Sequence, residues 1–75
     1  MSKMLSVMSV AEVPAQYTGI VQFGGARTQP YTVWVSGLIC CYNKTLAQSE
    51  IDLAQELRLL KRDGSEQDKR RAGLV

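Results

Sequence analysis

Apolar residues crowd into two stretches of different period, and those two stretches set the expected architecture. Tyr31 to Tyr42, YTVWVSGLICCY, is rich in β-branched and aromatic residues. Read with period 2, it places Tyr31, Val33, Val35, Gly37, Ile39 and Cys41 on one face and Thr32, Trp34, Ser36, Leu38, Cys40 and Tyr42 on the other. Both faces are partly apolar, so both need cover. From Leu46 onward the period lengthens to that of a helix. At about 100° per residue, Leu46, Ala47, Ile51, Leu53, Ala54, Leu57 and Leu60 form one broad stripe. Glu50 falls inside that stripe and Leu59 falls opposite it.

Two weaker stretches precede these. Met4 to Val10 alternates imperfectly, because Val7 and Met8 are adjacent, and is expected to be a first strand. Pro14 then breaks the pattern, since it cannot donate to a sheet ladder and holds Val13 extended. Tyr17 to Phe23 reads as a second strand, with Gly19 as a weak point or bulge. Gly24 to Pro30 is too long for a two-residue turn and predicts a looser hairpin, so that the second strand pairs antiparallel with the one beginning at Tyr31.

Thr45, followed three residues later by Gln48, has the form of a helix-starting capping box. The helix is expected to run to about Arg62, with Gly64 taking the left-handed conformation that closes many helices. Ser65 to Val75 is polar and charged until its last few residues, with Lys69, Arg70 and Arg71 in its middle, and reads as a mobile tail or a fraying extension of the helix. The expectation is therefore an α+β domain over residues 1–64, a small antiparallel sheet of about three strands in the order β-β-β-α, with one C-terminal amphipathic helix and a basic tail over 65–75.

A chain of 75 residues buries only roughly 60% of the surface its unfolded form exposes, so a staple or a partner is often needed. Metal does not fit that need. There is no histidine and there are two cysteines, against the about four nitrogen or sulfur ligands of a structural zinc site. Adjacent cysteines in a regular strand point to opposite faces and do not bridge, so Cys40 and Cys41 read as free thiols in a reducing compartment. Ser6, Ser9 and Glu12 interrupt the N-terminal apolar residues short of a secretory core, and no window approaches a membrane span, which makes cytoplasmic the expected location and a membrane partner unexpected.

Catalysis lacks parts. No histidine is present to act as a base, and the acidic residues fall on the helix and tail, where solvation and the helix dipole explain them. Gly24-Gly25 opens no helix, so it is not a phosphate loop. No cofactor is implied. A net charge of +2 is small for a nucleic-acid binder, although Arg27, Lys44, Lys69, Arg70 and Arg71 are placed to meet phosphates and the strand aromatics to stack on bases.

Protein binding uses more of the pattern. One helix covers one face of a sheet, and the other face is expected to expose Trp34 and Leu38, or Ile39 and Cys41 if a bulge at Gly37 flips the register; Tyr31 on the same strand and Leu59 on the helix are further candidate contacts. The sequence thus points to a non-catalytic regulator that binds and modulates or inhibits a larger protein. A polymerase or another nucleic-acid machine, such as one of transcription, suits the basic tail, and a phage or mobile element suits the small size. The alternatives are a homodimer that binds nucleic acid directly and a homo-oligomer that holds a small molecule.

Overall fold

The computed structural model describes residues 4–25 and 27–71. Four strands form one sheet in sequence order: β1 (Met4–Val7), β2 (Gly19–Phe23), β3 (Tyr31–Val35) and β4 (Leu38–Asn43). A long helix α1 (Leu46–Asp63) and a short helix α2 (Glu66–Arg71) follow. The fold is α+β as expected, but the sheet is four-stranded and mixed. The β2–β3 and β3–β4 pairs are antiparallel, whereas β1 runs parallel to β2.

The stretch Tyr31 to Tyr42 is two strands and not one. It folds back at Ser36 and Gly37, which both have positive φ, 53° and 82°. Positive φ at both central residues defines the two-residue turn whose twist matches a hairpin. Gly37 is required twice over. A Cβ on it would lie 2.8 Å from the Gln16 amide nitrogen and 3.1 Å from Gln16 Cα. The close approach exists because the β1–β2 connection is bolted to this turn: the Gly37 amide donates to Tyr17 O (3.0 Å) and the Ser36 amide to Thr18 Oγ1 (3.0 Å).

That connection, Met8 to Thr18, is what a parallel pair demands, since the chain must cross over one face of the sheet to return in the same direction. It begins with a short 3-10 turn, Val10–Glu12, whose Glu12 carboxylate accepts from the amides of Met8 and Ser9 (2.8 and 2.9 Å). Val13 and Tyr17 then pack onto the cluster of Val7, Val21, Phe23 and Trp34. The expectation of an uncovered aromatic face is corrected here. Trp34 is 5% exposed, and its indole Nε1–H donates to the buried Thr32 Oγ1 at 2.7 Å. An interior indole needs such a partner, and it has one.

The opposite face carries Ile20 and Val33, covered by Leu53 of α1 with Leu46 and Leu57 beside it. Thr45 caps α1 by accepting from the Gln48 amide at 3.1 Å. The reciprocal half of the expected capping box is absent, because the Gln48 side chain donates instead to Asp52 Oδ1. The buried line of α1 is also shifted from the expected stripe. Ser49 is buried while Ala47, Ile51 and Ala54 are exposed. Ser49 sits against the sheet with its hydroxyl bonded to Thr45 O (3.1 Å), which satisfies it within the helix. Ile51, about 160° round from Leu53, then faces away.

Gly64 closes α1 in an extended and not a left-handed conformation, φ −75° and ψ 159°. Its role is close approach: a Cβ would meet Leu60 O at 2.5 Å. Of the expected tail, Glu66–Arg71 is helical. Ser65 caps α2, its hydroxyl accepting from the Asp68 amide at 3.2 Å, and the Ser36 hydroxyl donates to Asp68 O at 3.4 Å. The last four positions of the expected tail, 72–75, lie outside the described residues.

Candidate functional site

The strand order leaves β4 at an edge of the sheet, with one side of its backbone unpaired by any other strand among the described residues. Its exposed side chains are Leu38 (72% exposed), Cys40 and Tyr42. The pairing with β3 slips between Val33 and Trp34: Val33 faces Cys41 and Trp34 faces Ile39, so Cys40 is an extra residue. Such a bulge breaks the alternation of sides. Ile39 packs with Trp34 on the crossover side, while Cys41 joins the helix-side cluster and Cys40 also turns toward α1. The expectation that the two thiols point to opposite faces of a regular strand does not survive the bulge.

Between this edge and the C-terminal half of α1 lies a groove of about 350 Å³. Val35, Leu38 and Cys40 form its sheet side, Leu59 and Leu60 its helix side, and Gly64 with α2 its end. Leu38 and Leu59, singled out separately from the sequence, thus come together across one cavity. Leu38 does so from the helix side, opposite Val35, and not from the face that carries Trp34.

The groove is acidic. Glu56, Asp63 and Asp68 line it, and none of its described lining residues is basic. Asp52, Glu56, Leu59 and Asp63 recur at helical spacing, which places them along one flank of α1. The thiols register this flank. Burial, first, and then the Glu56 carboxylate push Cys40 above its usual range, with the Val35 backbone opposing. Cys41 is pushed up by burial and then by Asp52, Glu56 and its neighbour Cys40. Groups held in the thiol form are poor nucleophiles and poor metal ligands. Among the described residues no cluster of three or more His, Cys, Asp or Glu side chains is placed to hold a metal ion, and no helix is long and apolar enough to cross a membrane.

The other singled-out residues lie elsewhere. Tyr31 is half-buried in the helix-side cluster, opposite Asn43 at the far end of β3. Arg27 stacks its guanidinium 4.6 Å from the Phe23 ring centre in the β2–β3 hairpin, and exposed Lys44 follows β4 at that same end of the sheet. Lys69 and Arg70 are on α2, which abuts Ser36 at the opposite end, and Arg71 closes α2. The basic residues therefore divide between two ends of the sheet and form no single surface.

The carboxylate row beside β4 was the part sequence reasoning missed. Its spacing was present, but the order of charge along α1 was fully accounted for by the helix dipole. A second cavity, about 370 Å³, opens beside Ser6, Met8 and Gln22 at the β1 side. The Glu12 carboxylate that reaches it is occupied as a cap. Comparison with protein-family models, curated proteins and solved structures finds no match.

Proposed function

We propose that this chain is a non-catalytic regulator, acting inside the cell, that binds a larger protein and modulates or inhibits it through the groove between β4 and α1. The observation that carries this reading is the meeting of Leu38 and Leu59, two exposed leucines from different elements, across a cavity at an open sheet edge. Apolar side chains exposed together beside unpaired strand backbone are what recognition by strand addition uses. Two free thiols suit a reducing compartment. A polymerase or other nucleic-acid machine remains an apt target class, since exposed Arg58, Lys61, Arg62 and Arg70 on α1 and α2 lie outside the groove's lining. Direct nucleic-acid binding draws less support, because Arg27 and Lys44 lie apart from α2.

The test is affinity capture from nuclease-treated lysate by the wild-type chain and by Leu38→Asp and Leu59→Asp. Both positions are exposed, so both variants are expected to keep the helical circular dichroism of the parent. Loss of the same captured protein in both supports the reading. Undiminished capture by both variants refutes it.

A further inference from the structure

We infer that the groove receives an extended, lysine- or arginine-bearing segment of the partner, added as a further strand on β4 beneath the acidic flank of α1. The inference rests on the groove being the partner site and adds what kind of segment enters it.

Three features converge. Among the described residues no strand pairs with the outer side of β4, and an extended segment satisfies the backbone donors and acceptors there whereas a helix does not. Asp52 and Asp63 stand eleven residues apart on one flank of α1, a rise of ~16 Å. That is the length of about five extended residues at ~3.3 Å each. Alternate residues of such a segment, ~6.6 Å apart, match the ~6 Å rise from Asp52 to Glu56, and the next alternate residue stops ~4 Å short of Asp63, within the reach of a lysine side chain, while the gap between Leu38 and Leu59 seats one aliphatic side chain.

Charge selects among occupants. Glu56, Asp63 and Asp68 face the groove with no basic residue among its described lining. A second copy of this chain, pairing β4 with β4 about a two-fold axis, would bring the same carboxylate row against itself, and like charges at an interface disfavour it. A basic strand meets the row with complementary charge. The bulge at Cys40 limits the regular pairing to the portions of β4 on either side of it.

The probe is a short blocked peptide alternating lysine with valine, compared with one carrying glutamate in place of lysine, titrated into the full chain labelled with ¹⁵N. The lysine peptide is expected to shift and protect amides of Leu38 to Asn43, to shift Leu59, and to bind about tenfold tighter than its glutamate counterpart, as three partly screened charge pairs imply. In the Glu56→Gln/Asp63→Asn variant that preference should fall to about twofold. The inference is overturned if the lysine peptide fails to bind, binds away from β4, shows no preference over the glutamate peptide, or keeps its full preference in the charge variant. It is also overturned if light scattering shows a dimer whose β4 amides are protected without peptide. If capture is lost in Leu38→Asp and Leu59→Asp while the peptides fail, the partner site stands and the strand inference alone falls.

Discussion

Replacing Gly37 with alanine isolates how tightly the crossover is locked to the β3–β4 turn. Two contributions add. An alanine held at φ +82° costs about 1–2 kcal/mol in backbone strain. Its Cβ would also lie 2.8 Å from Gln16 N and 3.1 Å from Gln16 Cα. Those are backbone atoms that cannot rotate aside, and forcing atoms into a filled site costs about 1–3 kcal/mol more. The sum is about 2–5 kcal/mol, a large part of the ~4–11 kcal/mol expected for a chain of this length. Gly25→Ala is the control, because Gly25 has nearly the same φ, +83°, with nothing within 4 Å of the added Cβ. It should show the strain alone. Thermal unfolding followed by Trp34 fluorescence reads both, since Trp34 packs against Val13 and Tyr17 of the connection that Gln16 belongs to. Melting temperature should fall by at least ~10 °C for Gly37→Ala and by roughly 5–10 °C for Gly25→Ala. Equal destabilisation of the two variants would refute the claim that the turn and the crossover are in enforced contact.

Trp34→Ala should cost about 3–5 kcal/mol and leave the chain largely unfolded by circular dichroism, because it empties the crossover-side core; a stable variant that merely lost a binding partner would return Trp34 to the surface. Leu53→Ala should cost about 2–5 kcal/mol while Ile51→Ala stays within about 0.5 kcal/mol, and denaturation giving the reverse order would show that α1 is rotated from the position described. Because both thiols have folded pKa values above the ordinary 9.0, their contribution to stability is complete below that value and is lost as pH rises through the raised ones. A thermal melt series that instead gained stability above pH 9 would contradict it. Alkylation of Cys40 at fixed pH should quicken in Glu56→Gln, and an unchanged rate would remove Glu56 from its surroundings.

The parts of this fold that the sequence announced are those whose signals are local. Thr45 and Gln48 marked the helix start, and Gly24 to Pro30 marked an antiparallel hairpin, because each is a short segment whose residues interact with one another. Ser36-Gly37 carried an equally local turn signal, but the unbroken run of strand formers on either side of it favoured one long strand. The bulge at Cys40 has no glycine to mark it. Parallel pairing of β1 with β2 is a non-local choice, visible only in apolar Val13 beside Pro14 and in Tyr17, which the pattern assigned to the second strand. Missing it left Trp34 apparently exposed. Of the groove, Leu59 was legible as an apolar residue off the buried stripe, and Leu38 was named for its exposure but assigned to the wrong face. The carboxylates became part of a site only when β4 was seen to lie under their flank.

The parallel strand also sets how far apart in the chain each layer's contacts lie. Every β1–β2 pair joins residues 16 apart, as Met4 and Ile20 are, and the β2–β3 pairs join residues 9 to 15 apart, from Gln22 and Tyr31 to Gly19 and Trp34. In the helix-side layer Leu53 meets Val33 and Ile20 from 20 and 33 residues away. The tryptophan layer is therefore closed by shorter loops than the helix-side layer, and loop-closure entropy weighs less on it.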